Sequence, residues 1–123
     1  MTQEEKQLLM RDLCARLPYG VKVNFRGFIE VLHEVHIYES VQTIVGENGV
    51  LYDIDMPMVM PYLRPMESMT EEEEKEYENC FQSDDTTAAT LLVDFYNKRH
   101  LDYRGLIKKG LALEAPEDMY KME

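Results

Sequence analysis

Apolar residues in the first segment recur at the spacing of an α-helix. Leu9, Leu13 and Leu17 lie four positions apart and form one stripe on a helix predicted over residues 3–16. Cys14 is placed beside this stripe, where a buried thiol acts as a small hydrophobic group. The first element is therefore predicted to be an amphipathic helix that packs one face on a core.

Signals for the start of a helix occur twice. Thr2 with Glu5, and Thr70 with Glu73, fit capping boxes. In this motif a hydroxyl and a carboxylate each accept a hydrogen bond from a free amide of the first turn. Further along the chain, apolar residues recur at the spacing of a helix and predict another helix over roughly residues 86–99.

After residue 20 the apolar period changes to two, which is typical of half-buried strands. Asn48-Gly49 between two branched apolar runs predicts a hairpin. Short connections leave no room for parallel crossovers, so residues 21–55 are predicted to form an antiparallel sheet, curved into a small SH3-like or partly open barrel. In its long second strand, the apolar and polar residues are expected on opposite faces: Ile29, Val31, Val35 and Ile37 against Glu30, Glu34 and His36.

Residues 56–66 contain three prolines, which favour an extended edge or crossing segment over a central strand. If this segment is extended, three methionines share one face, either as core filler or as an adaptable binding surface. They are Met56, Met58 and Met60.

The chain has 123 residues, the size of one ordinary domain. The predicted order of helix, antiparallel sheet and further helices indicates an α+β fold. The expected segments are a helix over 1–17, an antiparallel sheet with a Pro-rich crossing segment over 21–66, helices over 70–110, and a short strand and tail over 111–123.

The net charge of −11 is unevenly distributed, with −8 over residues 67–85 and +4 over residues 98–109. An acidic chain repels phosphate backbones, which argues against broad nucleic-acid binding. The basic segment either neutralises the acidic helix within the fold or forms a local anion site. Candidate contacts with an anion or a partner are Arg64, Lys98, Arg99, Arg104, Lys108 and Lys109.

Residues with catalytic chemistry do not cluster in the sequence. His33 and His36 lie three apart in a predicted strand, so their side chains should point to opposite faces and share no metal. His100 follows two basic residues at a helix end, where an imidazolium ion suits the helix dipole. The glycines are scattered and form no phosphate loop. We expect no bound metal, no cofactor and no disulfide, and an enzyme is the weaker hypothesis.

The composition of the chain predicts the cellular compartment of the protein. No apolar run reaches the roughly 20 residues that a bilayer requires, and the start lacks the basic and apolar regions of a secretory signal. Two cysteines form no disulfide framework, which is typical of a reducing compartment. A cytoplasmic protein without membrane contact is therefore expected.

Three stretches are distinctive as a set: LCARLPYGV at 13–21, PYLRPMESMTEE at 61–72 and DYRGLIKKGLA at 102–112. The set resembles a family of small uncharacterised proteins from gut Bacteroidales genomes, many of which lie in prophage-like or other mobile regions. That family has no known activity, cofactor or catalytic residue to carry over. The resemblance implies a bacterial, cytoplasmic and phage-related context.

Four functions remain open, in order of preference. The first is a non-enzymatic module that binds another protein, and the second is a nucleic-acid-associated small barrel that uses residues 98–109 on phosphates. The third is an acidic mimic of nucleic acid that uses residues 67–85. The fourth is an enzyme, which would need a deep pocket with shifted titratable groups. The protein partner and the oligomeric state, including self-association, are left open.

Overall fold

The computed structural model describes residues 1–38, 41–54, 59–82 and 84–120. Its helices are α1 (Gln3–Arg16), α2 (Glu71–Asn79) and α3 (Asp85–Lys98). Its strands are β1 (Lys22–Phe25), β2 (Phe28–Tyr38), β3 (Val41–Gly46), β4 (Leu51–Asp53), β5 (Val59–Leu63) and β6 (Leu113–Glu114). Short 3₁₀ turns occupy Leu17–Tyr19, Met66–Ser68 and Cys80–Gln82.

Within the described residues, the six strands form one sheet in the order β4-β3-β2-β1-β5-β6. Neighbouring strands are antiparallel except β5 and β6, which are parallel. The predicted α+β class is confirmed, and the sheet has the open form. The turn that contains Asn48-Gly49 connects β3 to β4 as predicted, with Gly49 at a φ of 82°.

Apolar side chains form two cores. The larger one joins α1 to one face of the sheet and includes the fully buried Leu13, Val23 and Leu106. The smaller one lies between α2 and α3, around Cys80 and Phe95. The second core also takes in Leu101 after α3 and Met66 and Met69 before α2, so it lies between the helices and the segment that leaves β5.

Strand β2 departs from the predicted alternation at His33, where the pairing register with β3 shifts. Before this bulge, Glu30 is the Cα partner of the buried Val23 and lies on the core face. After it, Val35 packs on the core. The extra residue reverses the alternation, because side chains change faces with every position. The prediction of one shared face is therefore wrong for four residues: Ile29, Val31, Val35 and Ile37.

Strand β5 lies inside the sheet although it contains Pro61. On one side Pro61 is paired with Val23 of β1, whereas β6 is paired only with Tyr62 and Leu63. A proline is tolerated there because the β6 side of the strand is unpaired at that position. The prediction that prolines keep residues 56–66 out of the sheet interior is wrong for β5 as a whole, which lies between β1 and β6, but Pro61 itself is at an edge position because β6 does not reach it.

Burial of the sulfur-containing side chains differs in part from the predictions. Cys80 is buried but Cys14 is exposed, and both thiols are free. The placement of Cys14 on the buried stripe is wrong because the buried face of α1 is rotated toward Asp12 and Arg16, which leaves Cys14 at its margin. Met56 and Met58 lie outside the described residues, and Met60 is half-buried.

The predicted helical segment over residues 70–110 is helical only as far as Lys98. Residues 99–110 form turns instead. Asp102 holds one of them, because its carboxylate accepts bonds from the backbone N–H of Leu106 at 2.8 Å and of Ile107 at 3.0 Å. This turn places the side chain of Leu106 in the larger core.

Candidate functional site

Arg64, directly after β5, is bonded to the start of α2. Its guanidinium donates to both carboxylate oxygens of Glu73, each at 2.7 Å, and to the Ser68 carbonyl at 3.1 Å. The hydrogen bond from Arg64 holds the pKa of Glu73 at about 2, against the opposing effect of burial. A bidentate pair of this kind fixes both partners, so Arg64 is matched to an internal carboxylate.

Arg99 makes a second connection to α2. Its Nη2 donates to Glu76 Oε2 at 2.8 Å, and its Nε lies 3.9 Å from Glu73 Oε2. The basic segment therefore neutralises part of the acidic helix within the fold. These contacts fit the interpretation that residues 98–109 neutralise the acidic helix, and not the one in which they form an anion site.

Arg104 contacts a charged group in the interior. Asp12 and Arg16 of α1 are both 0% exposed and form an ion pair of 2.9 Å. Arg104 donates to the second oxygen of Asp12 at 2.7 Å, and Arg16 donates to the Leu101 carbonyl at 2.6 Å. The burial of Asp12 and Arg16 is not evident from the sequence, because an acid and a base four apart on a helix usually form a surface pair.

The three candidate lysines, Lys98, Lys108 and Lys109, are exposed. The six candidate residues therefore do not form one basic patch. Arg64 and Arg99 meet around Glu73, while Arg104 belongs to the separate group around Asp12.

His100 follows α3 in the left-handed conformation, with a φ of 58°. Its buried ring stacks on Tyr120 with the ring centroids 4.0 Å apart. Burial, and after it the nearby charge of Arg16, lower the pKa of His100 to about 4. The predicted imidazolium ion at the end of α3 is therefore wrong at neutral pH, because desolvation outweighs the helix dipole.

Tyr120 connects two strands through its hydroxyl group. The hydroxyl accepts a bond from the Lys22 backbone N–H at 2.7 Å and donates to the Tyr62 carbonyl at 2.8 Å. Burial raises the pKa of Tyr120, so the phenol stays protonated. These contacts join the C-terminal segment to β1 and β5 and give Tyr120 a structural role.

Residues able to bind metals or act as nucleophiles are spread over the molecule. Across residues 1–38, 41–54, 59–82 and 84–120, no three His, Cys, Asp or Glu side chains lie together as a metal site. Burial raises the pKa of the Cys80 thiol, and partial desolvation by its neighbours raises that of Cys14 although this residue is exposed. Since a thiolate is the reactive form, neither cysteine is activated as a nucleophile.

Four large apolar side chains are exposed at one end of the sheet. The exposed fractions are 70% for Phe28, 51% for Ile29, 47% for Val50 and 59% for Leu51. We call these four residues the sheet-end patch. The sequence does not reveal this patch, because the strand pattern does not show that the two turns lie at the same end of the sheet.

The β3–β4 turn is hydrogen-bonded to the first half of β2. The Glu47 N–H donates to the Val31 carbonyl at 3.1 Å, and the Asn48 N–H donates to the Glu30 carboxylate at 2.9 Å. The β1–β2 turn is tight, because Arg26 and its neighbouring glycine both have positive φ angles, as a two-residue hairpin requires. Phe28 and Leu51 are the first residues of β2 and β4, and they follow turns at the same end of the sheet.

A cavity of about 310 Å³ lies between α2 and α3, beside the turn that follows α1. It is lined by the buried Cys80 and Phe95 and by the partly exposed Leu91 and Tyr19. We call this cavity the α2–α3 groove. Its polar lining residues are Glu76, Asn79, Asp94 and Lys98.

Comparison of the chain with protein-family models, with curated proteins and with solved structures finds no match. Among the residues that the structure describes, no helix combines the length and the apolar character needed to cross a bilayer. The function is therefore argued from the two surfaces described above.

Proposed function

We propose that this chain is a non-enzymatic protein-interaction module of a bacterial cytoplasm, in a phage-related setting. The observation that carries the proposal is the sheet-end patch, in which Phe28 is 70% exposed and Ile29, Val50 and Leu51 are exposed at the same end of the sheet. The cytoplasmic setting is supported by two cysteines that are both unpaired.

Exposed apolar side chains that lie together are typical of binding surfaces, whereas single ones are common on any protein. Full burial of a Leu or Phe side chain contributes roughly 1.5–3 kcal/mol, so a partner that covers this patch gains from several such terms. Aromatic residues at the centre of an interface often dominate its affinity. Phe28, the most exposed of the four, is the expected anchor.

Charge indicates the chemistry of the partner. The chain carries −11, and near the patch Glu34 of β2 and Glu47 of the β3–β4 turn are exposed, against Arg26 in the β1–β2 turn. The arginines that could attract an anion elsewhere, Arg64 and Arg104, are bonded to internal carboxylates. We therefore commit to a protein partner with an apolar centre and a basic rim, since opposite charges accelerate and orient association.

The test compares capture by three purified forms from a lysate of the organism that encodes the chain. The patch variant carries Phe28→Ser and Leu51→Ser. The control carries Phe81→Ser and Val93→Ser, which replace a phenylalanine and an aliphatic residue that are exposed on the helical side. Circular dichroism checks that all three forms are folded.

We expect the wild type and the control to retain the same protein and the patch variant to lose it. Equal retention by all three forms, or no retained protein, would contradict the proposal. Loss of capture after nuclease treatment would favour the nucleic-acid alternative. The purified chain could also form a dimer that the patch substitutions dissociate. In that case the occupant of the patch is a second copy of the chain and not a foreign protein.

A further inference from the structure

We infer that the α2–α3 groove is a second binding surface, which takes a basic peptide segment through one apolar side chain. It lies on the helical side of the molecule, between Cys80 and Phe95, and so goes beyond the sheet-end proposal. The inference combines the shape of the groove with the charge around it.

The size and lining of the groove suit one large side chain. Its volume of about 310 Å³ is at the lower limit of the roughly 300–1,000 Å³ of small-ligand pockets. Cys80 and Phe95 are buried below it, and Leu91 and Tyr19 remain partly exposed beside them. An apolar residue entering from a partner would cover Leu91 and meet few charges at depth.

The surroundings of the groove are acidic. Two of the α2 carboxylates, Glu73 and Glu76, are neutralised by the arginines Arg64 and Arg99. Exposed acids remain along α2 and the start of α3, and Asp94 lies at the groove itself; they outnumber the two exposed lysines of these helices, Lys75 and the groove residue Lys98. The exposed acids are Glu71, Glu72, Glu74, Glu78, Asp84 and Asp85.

This charge selects among the classes of ligand. Phosphates and acidic peptides are repelled by the exposed carboxylates, while Lys and Arg side chains are attracted to them. An apolar lining requires an apolar anchor, which an isolated metal ion or a free cation lacks. A peptide with one Leu, Ile, Met or Phe among basic residues satisfies both conditions, as when a segment docks into a groove between helices.

The first experiment selects binders from a displayed library of random peptides. We expect enrichment of sequences with one large apolar residue flanked by Lys or Arg. Leu91→Arg, which places a bulky cation at the groove, should weaken their binding by about tenfold or more, equivalent to at least about 1.4 kcal/mol. The control is Val93→Arg, because Val93 is on the same helix and has the same 42% exposure as Leu91. It should change the affinity by less than about threefold, since it adds the same charge outside the groove.

A second measurement reports on the groove directly. In a Cys14→Ser variant, Cys80 is the one remaining thiol of the two in the chain. The selected peptide should slow alkylation of Cys80, whereas the same peptide with Ala in place of its apolar residue should not. The sheet-end variant should bind the peptide with unchanged affinity, so the failure of one proposal is distinguishable from the failure of the other.

Three results would overturn this inference. The first is a selection that yields no binders, or binders without basic residues. The second is equal weakening by Leu91→Arg and Val93→Arg, which would show a general effect of charge. The third is an alkylation rate of Cys80 that the bound peptide leaves unchanged.

Discussion

The interior beside α1 and the sheet-end patch reverse the usual distribution of side chains. Asp12 and Arg16 are charged and fully buried, whereas Phe28 and Leu51 are apolar and mostly exposed. Inside, each charged group has a partner, since Asp12 contacts two guanidinium groups and Arg16 also bonds a carbonyl. Charge beside α1 is therefore matched by partners within the fold, whereas the apolar area of the sheet-end patch is left uncovered.

The largest effect is expected from breaking the interior charge group. Asp12→Ala leaves Arg16 buried without its carboxylate, which should lower the free energy of unfolding by about 3–5 kcal/mol. Asp94→Ala, at an exposed position of α3, should stay within about 0.5 kcal/mol. Urea denaturation measures both. Equal stability of the two variants would mean that the interior pair is not a structural requirement.

A matched pair of leucines compares the core with the sheet-end patch. Leu106 is 0% exposed and Leu51 is 59% exposed. Leu106→Ala should cost about 2–5 kcal/mol and lower the melting temperature by several degrees, because it leaves a cavity. Leu51→Ala should change the melting temperature little. If both variants melt like the wild type, the turn that carries Leu106 is not part of the core.

Lowering the pH should lower the free energy of unfolding because of His100. Its folded-state pKa of about 4 is below the ordinary value of 6.5, because its ring is buried close to Arg16, Arg64 and Lys22. The unfolded chain therefore takes up a proton first as the pH falls. Stability should decrease between pH 6.5 and pH 4, by at most about 3 kcal/mol.

Denaturation curves of the wild type and a His100→Gln variant over this range measure the effect. The variant should lose much of the pH dependence, whereas a His33→Gln control, at an exposed position, should keep it. Parallel curves for the wild type and His100→Gln would refute the role of His100.

Removing one hydroxyl group tests the contact between the C-terminal segment and the sheet. Tyr120→Phe keeps the ring on His100 but leaves the Lys22 N–H and the Tyr62 carbonyl without this partner. The expected loss is about 1–3 kcal/mol. Tyr19→Phe, at an exposed position, is the control and should have no measurable effect. A similar result for both would assign the stabilisation to the ring alone.

The smallest effect is expected at the turn beside the sheet-end patch. Arg26 has a φ of 55°, which a non-glycine residue rarely adopts. Arg26→Asn should raise stability by up to about 1 kcal/mol, because Asn-Gly is favoured in two-residue hairpins and tolerates this conformation. Arg11→Asn in α1 is the matched control and should not stabilise the protein. A destabilised Arg26→Asn variant would show that the arginine side chain has a structural contact.

Local signals in the sequence predicted local structure well. The helix predicted over residues 3–16 is α1, because the capping box and the leucine spacing act within a few positions. The Asn48-Gly49 turn was predicted for the same reason. The faces of β2 were not, because the bulge at His33 depends on pairing with β3.

The candidate residues were harder to interpret because their partners are distant in the sequence. The arginines at 64, 99 and 104 could be chosen from charge alone. Their acceptors lie 9, 23 and 92 positions away, respectively, so the contacts require the tertiary fold. The sheet-end patch and the α2–α3 groove each combine separate segments, and no local period indicates such a surface.

The long separation inside the charge group also affects the order of folding during synthesis. Arg16 and Asp12 leave the ribosome 85 and 92 positions before the residues that satisfy them, Leu101 and Arg104. Until those residues emerge, the charged side of α1 retains its water, since burial without partners is costly. Because domains generally fold as units, the charged side of α1 is expected to become buried only after residues 101–104 have emerged.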